Sequence, residues 1–277
     1  MRGHFFRFFL FYSVLGLASA GTIVNTGTPN GLMAVASQPT TGGKLEIEAA
    51  DDFVLNTQAF VSSGTFIGLL TGAAPTIGNV AVEIYRVFPL DSTSPPSGNV
   101  PTRVNSPSDN AFASADSTGV LTFTTTLLNG NFTAANSVLN GINKLPNQTT
   151  GGEGAVSGEE VQFSFVLTTP FNLPANHYFF VPQVQVTGGQ FYWLSSARPD
   201  TTTVFSNDLQ AWVRNANLSP DWLRVGTDIV GGASAPTFNM SFDLESTSTP
   251  EPSTRWMLGA GVVAIGIRAL IRPPRNS

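Results

Sequence analysis

Residues 160–168 read Glu160-Val161-Gln162-Phe163-Ser164-Phe165-Val166-Leu167-Thr168. Val161, Phe163, Phe165 and Leu167 fall on every second position. A period of two puts those four side chains on one face of an extended chain, so the stretch predicts a half-buried β-strand. The signature recurs on both sides. Lys44-Leu45-Glu46-Ile47-Glu48 alternates, and Asp51–Leu55 and Gly64–Leu70 are apolar runs rich in aromatic and aliphatic residues. Asn79–Val87 offers Val80, Val82, Ile84 and Val87, and Val120–Leu128 resumes the pattern. Downstream, His177–Val186 and Gly189–Ser195 predict a hairpin across Gly188-Gly189. Leu209–Arg214, Trp222–Val225 and Phe238–Leu244 bring the total to about nine to eleven strands.

The connecting segments are read from their turn chemistry. Residues 21–44 show no period until Lys44. Residues 89–118 are rich in Pro, Ser, Asn and Asp and predict a long loop. Ala134–Ile142 predicts a short helix, capped near Thr133 and ended by Gly141 or Pro146. Gly151-Gly152-Glu153-Gly154 reads as a loop tip, because neither a preceding strand nor a Lys-Ser/Thr pair makes it a phosphate loop. No internal repeat or linker divides the chain. The expected class is all-β: a single antiparallel β-sandwich with an N-terminal signal helix and a C-terminal transmembrane helix.

Composition narrows the chemistry. The chain has 277 residues, 42% hydrophobic and 11% charged, with no cysteine and two histidines. Charge is about half the usual share of roughly 25%. Disulfide scaffolds, thiolate metal sites and cysteine nucleophiles are excluded outright. The net charge of −5 is unevenly spread. Residues 1–20 hold two arginines and no acid. Residues 251–277 hold four arginines against Glu251. The stretch between them holds seven bases and seventeen acids. No basic patch interrupts that acidic middle, so no nucleic-acid partner is expected.

The first twenty residues place Arg2 and Arg7 ahead of the apolar run Phe8–Leu17, and Ala18-Ser19-Ala20 follows. A basic start, a short apolar core and a small-x-small site form a secretory signal. As helix the core spans roughly 15 Å, half of a bilayer's apolar thickness. Signal peptidase is therefore expected to cut after Ala20 and leave Gly21 first. The domains expected are a signal peptide (1–20), a β-sandwich domain (21–246) and a tail (247–277).

The tail reads Pro250-Glu251-Pro252-Ser253-Thr254-Arg255, then the apolar run Trp256–Ile267, then Arg268, Arg272 and Arg275. A polar hinge, an apolar helix and a basic end make a stop-transfer element with a span at about 256–271. These residues resemble the PEP-CTERM sorting signal. That resemblance implies recognition at Pro250, Glu251, Pro252, Ser253 and Thr254 by an exosortase-type membrane protease of exopolysaccharide-making Gram-negative bacteria. It also implies an inner-membrane intermediate and a final place on the cell surface or in the extracellular matrix. The apolar run is short, and it reaches full length only by including Arg268, whose long side chain can snorkel to the headgroups.

The body resembles a loose group of exported bacterial jelly-roll proteins. Asp51-Asp52-Phe53, the Val80–Tyr85 strand and the closing Asn239–Leu244 carry that likeness. It implies fold more than function.

Three functional readings stay open for the body. The first is non-catalytic: a structural or adhesion-like surface protein. The second is a polysaccharide-binding module, in which Tyr192, Trp193, Trp212 and Trp222 would stack on the sugars of an exopolysaccharide. The third is a glycoside hydrolase, but the adjacent pairs Asp51-Asp52 and Glu159-Glu160 point to opposite faces of a regular strand and cannot flank one bond. The body's single histidine, His177, lies in an aromatic strand, and no nucleophile elbow accompanies it. No enzyme activity is expected and no cofactor is required. Calcium is the one ion with candidate ligands, at Asp51, Asp52 and Asp243, since hard oxygen donors suit it.

Overall fold

Phe180 marks the centre of the fold. Its ring lies 5.1 Å from that of Phe242, 5.8 Å from Trp193, 6.0 Å from Phe165 and 6.4 Å from Phe66. Those four partners belong to one β-sheet, whereas Phe180 belongs to another. The computed structural model describes residues 20–143, 148–197, 208–232 and 236–247. The expected signal helix, the sorting tail and its membrane span lie outside the described residues. Among the described residues no helix is long and apolar enough to cross a membrane.

The strands are, in order, β1 (Ala20–Asn25), β2 (Pro29–Ala36), β3 (Ile47–Leu55), β4 (Ala59–Thr71) and β5 (Thr76–Arg86). Next come β6 (Ala113–Asp116), β7 (Leu121–Ala134), β8 (Asn136–Val138), β9 (Val156–Leu173) and β10 (Asn176–Thr187). The set ends with β11 (Gln190–Ser196), β12 (Trp212–Asn215), β13 (Leu223–Arg224), β14 (Asn239–Met240) and β15 (Phe242–Thr247). A single π-helical turn, Val225–Val230, follows β13. The all-β expectation holds.

Six strands form one sheet in the order β13-β12-β3-β10-β5-β6, and nine form the other. In the larger sheet β4 is the organising strand. β9 pairs along one edge, from Ala59 to Leu70. Along the other edge β15 covers Val61–Phe66 and β11 covers Gly68–Thr71, end to end. β7 then pairs with β9, and β2 with β11.

The alternation read from residues 160–168 is realised. Val161, Phe163, Phe165 and Leu167 are all buried, and Phe163 stacks on Phe66 with centroids 5.0 Å apart. The aromatic layer needs two glycines opposite it. A Cβ on Gly64 would sit 2.8 Å from the Phe165 ring, and one on Gly68 would sit 2.0 Å from the Phe191 ring. The rings can come this close to β4 because those positions carry no side chain.

Five expectations are corrected. The hairpin across Gly188-Gly189 does not form, because β10 and β11 join different sheets. Ala134–Ile142 is not a helix: Asn136–Val138 is a strand, parallel to β2 with Met33 opposite Asn136. The reason is a set of side-chain bonds to a more distant backbone segment. The Ser137 hydroxyl donates to the Gly154 carbonyl, and the Asn136 amide donates to Gly151 and accepts from the Gly154 N–H. Short polar side chains that bond backbone in this way compete with helix. That parallel pair also makes the sheet not purely antiparallel. The loop predicted over 89–118 ends early, because Ala113–Asp116 pairs with β5. The strand count exceeds the expected range, mainly because the aperiodic residues 21–36 form β1 and β2 against buried neighbours.

Substituting Gly68→Ala should cost about 3 kcal/mol in chemical denaturation, since the Phe191 ring and the Tyr192 carbonyl must both give way. Gly130→Ala, in open space on β7, should stay within about 0.5 kcal/mol of the parent.

Candidate functional site: a buried carboxylate, tyrosine and arginine cluster

The six-stranded sheet buries both of its faces. On β5, Val80, Val82 and Ile84 point to the aromatic core, so Glu83 and Tyr85 point to the outer face. On β3 the same alternation sends Glu48, Ala50 and Asp52 outward. A second apolar cluster of Ala50, Tyr85, Phe179, Val181, Leu209, Trp212 and Trp222 occupies that outer face. The loop 87–112 roofs it. Trp222 donates its indole N–H to Ser108 O at 3.2 Å, and Arg214 Nη1 donates to Asp109 O at 3.2 Å. Within the loop, Arg103 is buried, pairs with Asp109 and sits 4.2 Å over the Phe88 ring.

Charges are trapped beneath this roof. Arg214 on β12 stands directly opposite Glu48 on β3. Its Nε donates to Glu48 Oε2, and its Nη2 donates to Glu48 Oε1 at 3.0 Å, a bidentate pair. The guanidinium also lies 4.3 Å over the Trp222 ring. The Tyr85 oxygen is 2.7 Å from Glu48 Oε1, 2.8 Å from Glu83 Oε2 and 3.0 Å from Arg214 Nη2.

Counting protons decides what this cluster is. A tyrosine hydroxyl has one proton and two lone pairs. Arg214 occupies one lone pair. The O–H can donate to only one carboxylate, so the other must itself be a donor. Glu48 spends both oxygens on Arg214, so Glu83 is the group that carries the proton. Burial, then the Glu48 charge, pushes Glu83 up to about 7. Burial, then Glu48, likewise pushes the Tyr85 hydroxyl well above its ordinary value. Glu83 borders a shallow cavity of about 230 Å³, which it lines with Ala81, Ser114 and Asp116.

Two carboxyls with opposite protonation preferences are the raw material of acid–base catalysis. Here the Tyr85 hydroxyl fills the gap between them, where a scissile bond would have to lie. What the site can do is store one proton and lock the loop 87–112 to β3, β5 and β12.

The residues singled out from sequence fall elsewhere. Tyr192, Trp193, Trp212 and Trp222 do not form an exposed platform. Trp193 and Trp222 are 0% exposed, Trp212 1% and Tyr192 6%. Tyr192 and Trp193 are adjacent on β11 and point to opposite faces. Trp193 enters the aromatic core and donates its N–H to Ser241 O at 2.9 Å, whereas Trp212 and Trp222 lie under the loop roof.

The calcium candidates are likewise dispersed. Asp51 points into the core and accepts from Met240 N–H at 2.8 Å. Asp52 points outward to His177, with Oδ2 2.6 Å from Nε2. Asp243 lies on β15, half-buried, and burial followed by Glu245 pushes it up to about 6. Among the described residues no three acidic or histidine groups converge on a metal position. His177 sits at the rim, its ring stacked on Phe179. Ala18, Pro250–Thr254, Arg268, Arg272 and Arg275 lie outside the described residues. The chain matches no protein-family model, no curated protein and no solved structure.

The cluster has a pH signature. Glu83 holds its proton more tightly folded than unfolded. It therefore favours the folded state fully below about pH 4.5, and that contribution is lost as pH rises through about 7. Glu83→Gln cannot ionise, so its melting temperature at pH 8 should exceed the parent's by about 7–14 °C and match it near pH 4. Arg214→Met strands the buried Glu48 charge and should cost about 3–5 kcal/mol at neutral pH.

Proposed function

We propose that this chain is an exported cell-surface or extracellular-matrix protein with a non-catalytic structural role. Its body is a jelly-roll-like sandwich addressed by a PEP-CTERM-like tail. The observation that carries the reading is the tail itself: Pro250-Glu251-Pro252-Ser253-Thr254, the apolar run from Trp256, then Arg268, Arg272 and Arg275. On this reading signal peptidase removes residues 1–20, and the apolar run halts the chain in the inner membrane with its arginines cytoplasmic. An exosortase-type protease then processes it near Pro250-Glu251-Pro252. The body is consistent with such a role. Residues 21–246 form one compact unit. The aromatic and carboxylate side chains that sugar stacking or catalysis would need are occupied in packing and internal pairing. No cofactor enters this reading.

A polysaccharide-binding role is the second reading, at a different place from the aromatic residues. An open cavity of about 350 Å³ is lined by Gln38, Asn140, Gln190 and Asn215 beside Leu45 and Leu139. Planar amides over an apolar floor suit sugar hydroxyls and C–H faces.

Intact mass of the protein from a host with the membrane protease tests the first reading. The expected mass begins at Gly21 and ends near residue 250, and deleting Pro250-Glu251-Pro252 should restore the full tail. Identical C-termini with and without the protease would refute the sorting step. For the second reading, purified exopolysaccharide fragments should bind the parent, and Gln190→Ala should weaken that binding by about tenfold.

A further inference from the structure

β7 is an edge strand without the usual protection. It pairs with β9 on one side, and among the described residues no strand pairs with its other side. Natural edges are blunted by charge, proline or shortness. β7 is 14 residues long and carries neither a charged residue nor a proline. No charge occurs between Asp116 and Lys144.

Its inward face is also unfinished. On β9 the core-facing residues Leu167, Phe165, Phe163 and Val161 are all buried. Their partners across the ladder are Leu121, Phe123, Thr125 and Leu127. Burial falls away along that row: Leu121 is buried, Phe123 half-buried, Thr125 exposed and Leu127 58% exposed. The aromatic core ends beneath β9, and β7 overhangs it.

The regular part of β7, before the ladder shifts at Leu127, reads Leu121-Thr122-Phe123-Thr124-Thr125-Thr126-Leu127. Read backwards it is Leu-Thr-Thr-Thr-Phe-Thr-Leu, the same string but for one exchange of Phe and Thr. Antiparallel pairing of two such strands about Thr124 sets Leu121 against Leu127, Thr122 against Thr126 and Phe123 against Thr125. The flanking Val120 and Leu128, 42% and 46% exposed, then meet each other. Thr–Thr and aliphatic cross-strand pairs of this kind are favourable, and no like charges oppose.

We infer that β7 is a homotypic docking edge: a second copy of this chain adds its own β7 antiparallel, with the two-fold axis at Thr124. Charge selects that occupant. The body is strongly acidic, so two copies repel over most of their surfaces, and this uncharged strip is where they can meet. A foreign strand bearing charges would find no counter-charge along it. The contact is small, about nine residues or roughly 30 Å long and on the order of 300–500 Å² per partner, below the roughly 800 Å² of a standard interface. Pairing is therefore weak in dilute solution and grows where copies are crowded on one surface. It follows from β7 alone and holds whether or not the tail is processed.

The absence of cysteine from the sequence makes the test direct. Thr124→Cys in the full chain adds one exposed thiol, which the two-fold places against its own copy within disulfide reach. Val104→Cys, on the exposed loop, is the control. Under mild oxidation Thr124→Cys should form disulfide dimers at least about tenfold faster than Val104→Cys. Adding Thr122→Lys and Thr126→Lys should abolish the difference. A mixture of Thr122→Cys and Thr126→Cys chains should favour the mixed dimer over either homodimer, which fixes the register independently of position 124. Melting curves matching the parent's check that each variant is folded. Equal rates for Thr124→Cys and Val104→Cys, no preference in the mixture, or capture of a different protein by Thr124→Cys would overturn the proposal.

Discussion

Phe180 against Phe66, Phe165, Trp193 and Phe242 is the contact on which the rest of the body depends. With no cysteine to cross-link them, the two sheets are held together chiefly by apolar burial. One ring from β10 meets rings from β4, β9, β11 and β15, so a single side chain fixes four strands of the facing sheet relative to one strand of its own. Gly64 and Gly68 follow from it, since the layer closes only if β4 gives up side chains beneath Phe165 and Phe191. So does the placement of β15, which reaches the layer through Phe242. Its start is pinned by Thr26, whose hydroxyl donates to Met240 O and accepts from Phe242 N–H.

The second face of the six-stranded sheet is governed by the opposite logic. There the loop 87–112 covers a surface that carries charge, and burial forces every charge to find a partner. Glu48 takes Arg214, Asp109 takes Arg103 and Asp52 takes His177. Glu83 is left to keep its proton. The polar network gives the roof a defined position, which apolar contacts alone do not supply. Its cost is a dependence on pH.

Much of the fold was legible because alternation is a local property. The strands containing Glu160–Thr168 and Asn79–Val87 could be read from period two and His177–Val186 from its aromatic and β-branched run, and the adjacent Asp51-Asp52 pair splits across its strand as that period requires. Where the reading failed, a distant partner decided the local state. Asn136–Val138 is extended because β2 and the Gly151–Gly154 backbone hold it. The aromatic residues Tyr192, Trp193, Trp212 and Trp222 looked like a platform because sequence shows proximity but not cover. The proton-sharing cluster was half visible. Glu83 and Tyr85, two apart on a strand, must share a face. Glu48 and Arg214 lie 166 positions apart, and nothing local announces their pairing.

The trapped guanidiniums also bear on attack by proteases that cut after basic residues. Arg103 and Arg214 are buried, and Lys44, Arg86 and Arg224 are half-buried. Lys44 is held by the Val186 and Gly189 carbonyls at 3.0 and 2.6 Å. Among the described residues, then, none of the basic side chains is freely exposed. A trypsin-like protease needs a basic residue on a segment it can draw out into its cleft. At the described basic residues it meets only side chains whose release requires a strand or the loop roof to come away first. At those positions, resistance to that class of digestion is a by-product of how the basic side chains are buried and held.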